Sequence, residues 1–175
     1  MADSTAFEIL YQEYYPRVFA LCRILLPSED CAEDAAQETF TRAYKNFGQY
    51  KPTRPFWQWI AAIAHRYCID QLRLRGRWQT SDEDAQPIID QLEAPDPMNV
   101  DALITLEDQQ HLQGAIELLP EKYRVPLVLA YLVNLSYDDI AQLLEIKRSH
   151  VGVLLLRAKQ RLRHELKSNT SGGLE

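Results

Sequence analysis

Between Gln79 and Pro97 the chain carries six carboxylates, three prolines and neither Arg nor Lys. Such a stretch has too little apolar surface to offset the entropy of ordering it. Its prolines also interrupt any regular backbone pairing. We read residues 79–98 as a flexible acidic linker, which divides the 175 residues into two parts that must each build a core. On both sides apolar residues recur at helical spacing, and no strand-like alternation stands out. The expected fold is therefore all-α: two small helical domains, 1–78 and 99–167, joined by the linker. The second is expected to be a helix-turn-helix, followed by a disordered tail at 168–175.

Phe7, Leu10, Tyr11, Tyr14, Val18, Leu21, Cys22 and Leu25 mark a first helix that ends near Pro27. Ser28 or Asp30 can cap a second, running to about Phe47, with acids in its first turn where the helix dipole favours them. Gly48 to Pro55 reads as a loop. A third helix starts at Pro55 or Phe56 and runs to about Arg75. After the linker, helices are expected from about Val100 to Leu119 and from Glu121 to about Asn134. Ser136 and Asp139 form a capping box opening a short helix to Leu144. A turn at Glu145–Arg148 leads to a last helix from about Ser149 to Leu166. Short helix, tight turn and longer basic helix is the helix-turn-helix pattern.

The formal net charge of −6 argues, taken whole, against a nucleic-acid partner. Its distribution argues the opposite. Residues 1–41 sum to −6, 42–78 to +7, 79–119 to −10 and 120–167 to +4. Two basic blocks flanking an acidic one are the asymmetry of a nucleic-acid binder. Several classes drop out. No apolar run approaches the roughly 20 residues of a membrane span, so no membrane insertion is expected. The opening MADSTAFEIL is not a secretory signal. Cys22, Cys31 and Cys68 cannot all pair, which points to a reducing cytoplasm and to cysteines packed in the core. His65 and Cys68 have ligand spacing but no second pair nearby, so no metal is expected. No phosphate-cradling glycine loop or nucleophile motif is present; no cofactor and no enzyme activity are expected.

Three surfaces carry the candidate chemistry. Asp34, Gln37, Glu38 and Thr41 fall on one stripe of the second helix, suited either to a basic partner or to water. On the third helix, Phe56, Trp59, Ile60, Ile63 and Tyr67 are read as the core stripe. Arg66, Arg73 and Arg77 share its flank, and with Lys51 and Arg54 they form a surface able to neutralise phosphates. Tyr50, Trp57 and Trp78 are aromatic candidates for stacking an unpaired base, or else complete the core. On the last helix Val151, Leu155, Ala158 and Leu162 face the core. Ser149, Val153, Leu156, Gln160 and Arg163 lie opposite, flanked by His150 and Arg157, with Lys147 and Arg148 in the preceding turn. Three readings of Val153 and Leu156 stand open: contact with thymine methyl groups, a protein-binding patch, or ordinary exposed apolar side chains.

Four stretches, DAAQETFTRAY (34–44), FWQWIAAIAHRYCIDQLR (56–73), LPEKYRVPLVL (119–129) and LSYDDIAQLLEI (135–146), occur in order across residues 5–167. Together they closely resemble the extracytoplasmic-function class of bacterial RNA polymerase sigma factors. The resemblance implies a promoter-directing initiation factor, responsive to stress or envelope signals, with core polymerase, promoter DNA and an anti-sigma factor as partners. It assigns Asp34, Gln37, Glu38 and Thr41 to the polymerase clamp. It assigns melting and reading of the minus-ten element to the surface of Tyr50, Lys51, Arg54, Trp57, Arg66, Arg73 and Arg77. The second domain would contact the polymerase flap and read the minus-thirty-five element through Lys147, Arg148, Ser149, His150, Val153 and Arg157. Two departures stand out. Arg66 occupies a position where the family usually has Asn. The last helix has Glu145, Lys147, His150, Gly152, Val153 and Leu154 where small, proline, hydroxyl and basic residues are common. The alternative is a sigma-like helix-turn-helix regulator or interaction protein with altered or lost minus-thirty-five readout.

Overall fold

The computed structural model describes residues 2–53, 55–76 and 106–171, which contain helices and turns and no strand. Seven α-helices follow in order: α1 (Ala2–Leu25), α2 (Glu29–Lys45), α3 (Phe56–Leu74), α4 (Leu106–Glu117), α5 (Glu121–Tyr131), α6 (Tyr137–Leu144) and α7 (Arg148–Ser171). A short 3₁₀ turn at Phe47–Gln49 follows α2. Two compact units result, Met1–Gln79 and Thr80–Glu175. Arg54, Arg77, Trp78, the linker at 79–98 and residues 172–175 lie outside the described residues.

In the first unit α1, α2 and α3 pack on one another. Ser28 caps α2 as its sequence predicts, its hydroxyl oxygen accepting the Cys31 backbone N–H at 3.3 Å. The buried face of α2 is made of Ala32, Ala35, Ala36, Thr39, Phe40 and Ala43. Thr39 satisfies its hydroxyl within its own helix by donating to the Ala35 carbonyl at 2.7 Å. Such small side chains let helix backbones approach closely. The matching face of α3 is correspondingly small: Ala61, Ala64, His65 and Cys68 are buried, with Ile60, Ile69 and Leu72. The expected core stripe of α3 is therefore displaced around the helix. Phe56 and Ile60 are buried, whereas Trp59, Ile63 and Tyr67 are only half-buried at its border.

Cys22 and Cys68 sit in this core with their thiols hydrogen-bonded, and that bond and burial push the Cys68 thiol well up. Cys31 departs from the expectation of a core cysteine. It is half-exposed at the start of α2. Its sulfur accepts from the Ser28 hydroxyl at 2.9 Å and from Arg75 Nη1 at 3.0 Å. Those two donors, Ser28 foremost, lower its pKa. The Arg75 bond also ties the end of α3 to the beginning of α2.

In the second unit α4, α5 and α6 all pack against α7. Arg124 on α5 donates from Nη1 to the carbonyls of Glu117 at 3.0 Å and Leu119 at 3.3 Å. These acceptors stand where α4 has run out of its own donors. Ser136 and Asp139 form the predicted box: the Ser136 hydroxyl accepts from the Asp139 N–H at 3.1 Å and donates to its carboxylate at 2.6 Å. Two helix ends differ from expectation. Helix α5 stops at Tyr131, and Asn134 turns the chain with φ 59°. Helix α7 continues past Leu166 to Ser171, taking in part of the expected tail. Between α6 and α7, Glu145 adopts a left-handed conformation, φ 58° and ψ 40°.

Two predictions follow from these cores. His65 is 3% exposed and neither ring nitrogen has a hydrogen-bond partner. Burial, helped by nearby Arg66, lowers its pKa from 6.5 to about 4. The unfolded chain therefore takes the proton first. Stability should be full above about pH 6.5 and fall as pH drops toward 4, by about 3 kcal/mol in all from this group. Urea unfolding across that range should show a flatter profile for His65→Leu. Glu145→Gly should raise the melting temperature of the second unit, by about 0.5–1 kcal/mol in stability, because glycine accepts the left-handed turn without steric cost.

Candidate nucleic-acid interface

The buried alanine face of α2 turns its opposite face to solvent. Asp34, Gln37 and Thr41 are exposed there and Glu38 is half-exposed. Their hydrogen bonding is mostly local. Thr41 donates to the Gln37 carbonyl at 2.9 Å, and Gln37 reaches Glu33 at 3.5 Å. Glu38 is paired with Arg42 Nε at 2.7 Å. Arg42 in turn lies over the Tyr67 ring of α3, 4.8 Å from its centroid. Burial, with Glu38 nearby, raises the Tyr67 pKa. The stripe is thus a fixed polar ridge whose most available carboxylate is Asp34. Beside it Phe7, Tyr11, Phe40 and Tyr44 line a shallow depression rimmed by Gln37, Thr41 and Lys45.

The outward side of α3 is basic and partly aromatic. Arg66 is exposed; Arg73 is half-buried and pairs with Asp70 at 3.9 Å. Trp59 lies seven residues before Arg66, and Arg73 seven after it, so all three share one side of the helix. Tyr50 leans on this tryptophan, ring centroids 5.2 Å apart, and also meets Phe47 and Phe56. Lys51 is exposed on the adjoining loop. Trp59, expected in the core, is half-buried and joins this candidate surface; its spacing to Arg66 and Arg73 is the signal for it. Trp57 points elsewhere and is covered by Arg17 of α1, whose guanidinium carbon is 3.7 Å from the ring centroid.

At the start of α7 Lys147, Arg148 and Ser149 are exposed. Arg148 pairs with Asp138 of α6 at 3.2 Å. The amino end of a helix adds backbone N–H groups and a positive dipole, a setting suited to phosphate. Further along, the expectation of an outward Val153 is corrected. Val153 is 8% exposed, and Val151, Leu154 and Leu155 are buried with it. The run VGVLLL is apolar around the full helix circumference, the pattern of a buried helix rather than an amphipathic one. Val153 is therefore removed from the candidate contact surface. Leu156, Arg157 and His150 are half-buried, and His150 Nε2 is buried without a partner. Lys159 and Arg161 lie over Tyr131 and Tyr123, at 5.1 and 4.9 Å. Lys147 and Arg148 are exposed side by side at the start of α7, and Lys122, Arg161 and Arg163 are exposed elsewhere on the described part of this unit. A narrow apolar cleft runs among Ile116, Val128, Leu132 and Leu162.

No described helix is long and apolar enough to cross a membrane. Among the described residues no group of three or more His, Cys, Asp or Glu is placed to hold a metal ion.

Comparison with known proteins gives concordant matches. The sigma-70 region 2 family matches residues 10–78 and the sigma-70 region 4 family residues 109–162. The chain is 31% identical over 170 residues to the ECF RNA polymerase sigma factor SigW of Bacillus subtilis, covering 94% of this chain and 91% of that protein. It is 27% identical over 168 residues to the ECF RNA polymerase sigma-E factor of Escherichia coli, covering 90% and 85%. Among solved structures it is similar to the sigma factor RpoE in complex with the anti-sigma factor NepR from Bartonella quintana, with a TM-score of 0.57, 25% identity and coverage of 93% and 97%.

The Asp138–Arg148 pair holds a carboxylate beside an exposed basic surface of the second unit. Asp138→Asn should tighten binding to duplex DNA a few-fold at low salt, with the gain shrinking as salt rises. Fluorescence anisotropy across a salt series measures it.

Proposed function

The chain belongs to the extracytoplasmic-function class of sigma-70 RNA polymerase sigma factors, and we propose that it binds core RNA polymerase and directs transcription initiation at specific promoters. The observation that carries this is the ordered pair of family matches, region 2 on the first helical unit and region 4 on the second. Its work is binding and strand selection; the bond-forming chemistry belongs to the polymerase. It acts in the bacterial cytoplasm, where its polymerase partner is.

Asp34, Gln37, Glu38 and Thr41 meet the polymerase clamp, through charge-assisted hydrogen bonds to basic side chains. Lys51, Arg66 and Arg73 neutralise phosphates of the minus-ten region, while Tyr50 and Trp59 offer stacking surface to an unpaired base. Arg54 and Arg77 are assigned to the same surface from sequence. Arg66 brings a charged, two-pronged donor where the family usually has an amide, which favours a guanine or phosphate contact over an adenine. Lys147, Arg148 and Ser149 lead minus-thirty-five contact, with His150 and Arg157 at its edge. With Val153 inside the core, this readout is mainly phosphate anchoring at the α7 amino end. The apolar cleft of the second unit suits an apolar helix, and we assign it to the polymerase flap. An anti-sigma factor, as in the similar Bartonella quintana complex, is the expected regulator, released by a stress or envelope signal.

The test is transcription by purified core polymerase and this chain on genomic fragments. Discrete promoter-specific transcripts are expected; none at any protein ratio defeats the proposal. Reversing charge with Asp34→Arg and adding a positive charge with Gln37→Arg should lower core affinity at least about ten-fold, since the side chains are exposed and the loss falls on the complex. The melting temperature should stay near that of the unsubstituted protein.

A further inference from the structure

Arg17 on α1 and Trp57 at the start of α3 form the shortest cation–ring contact among the described residues, 3.7 Å from guanidinium carbon to ring centroid. At that separation the planar guanidinium rests against the indole. Trp57 is half-buried and Arg17 is exposed. The pair therefore presents the guanidinium to solvent, and the covered indole face is not available to a base. Close by, Tyr14 of α1 packs on Phe56 with centroids 5.0 Å apart. Phe56 continues to Tyr50 and Trp59, at 5.4 and 5.7 Å. Phe56 itself is buried, so the stack and the Tyr50–Lys51 loop meet only at the amino end of α3, while Arg66 stands on the opposite side of the helix.

We propose that Arg17, held against the Trp57 ring, is a strand-contacting residue in promoter opening. The outer face of its guanidinium receives an unstacked base, and its N–H edge reaches a phosphate of the same strand. Guanidinium planes stack on unpaired bases much as aromatic rings do. A side chain already propped against a ring loses little freedom on binding. The assignment rests on the first unit handling the minus-ten element, and it adds a residue from a different helix at the end of α3 where Tyr50 and Lys51 arrive. It also gives Trp57 a positioning role rather than direct contact. Lysine cannot substitute fully, because an ammonium has the charge without the plane.

The experiment uses the full chain with core polymerase on a promoter found by the transcription assay, with 2-aminopurine placed in its minus-ten element to report unstacking. R17A and W57L are each expected to slow opening about ten-fold. R17K should also be slowed, and W57F should keep more activity than W57L. The R17A/W57L double variant should be no slower than either single one, because the two side chains act as a unit. Core affinity and melting temperature are measured on the same samples. R17K opening as fast as the unsubstituted protein would reduce Arg17 to a steering charge and overturn the proposal. So would W57L opening at full rate, or an R17A defect matched by an equal loss of core affinity or stability. If the unsubstituted protein opens no promoter, the initiation-factor assignment itself fails. If it opens one and every variant equals it, only the role of Arg17 falls.

Discussion

The first unit depends on how closely α2 can approach its neighbours. Alanines at 32, 35, 36 and 43 leave α1 and α3 room to come in against its backbone. Shape, more than the bulk of apolar side chains, defines this core. Close approach selects Ala61, Ala64 and Cys68 on the facing helix and leaves the larger Trp59 and Tyr67 at the border. The same rotation that buries the alanines turns Asp34, Gln37 and Thr41 outward. It also turns Arg66 outward on α3. The two candidate surfaces are thus set by the positions of the smallest residues in the unit.

This explains which parts were legible in the sequence. Helix order, the Ser28 cap and the Ser136–Asp139 box are local patterns, and the described residues carry them where expected. The buried face of α3 departs from the expected stripe because small side chains, not the largest apolar ones, line it. In a tightly packed three-helix unit the small ones mark the contact. Val153 departs from expectation for a related reason: it lies in a run that is apolar on every side, where helical spacing does not mark an outward face. Arg17 was invisible as a candidate because its meaning lies in a contact with Trp57 on a different helix. Nothing in local spacing pairs the two.

The second unit shows a different economy of charge. Its basic residues are numerous, yet Lys159 and Arg161 lie over tyrosines and Arg124 satisfies the end of α4. Several of these charges therefore also serve the packing of the unit itself. Two exposed cations, Lys147 and Arg148, stand at the amino end of α7, next to a left-handed Glu145 that fixes how α7 leaves α6. Backbone strain and exposed charge meet at this turn, so its conformation governs where Lys147 and Arg148 are presented.

The environments of the three cysteines have a practical side. Cys22 and Cys68 are closed inside the core, whereas Cys31 is half-exposed and has two hydrogen-bond donors on its sulfur. A thiol-reactive dye will therefore choose Cys31, giving single-site labelling without removing the other two. The label will not be silent. It displaces Arg75 from the sulfur and loosens the end of α3, the segment that carries the chain out of the first unit. A dye at Cys31 reports on that exit, and a distance measured from it includes the slack that the label itself introduces.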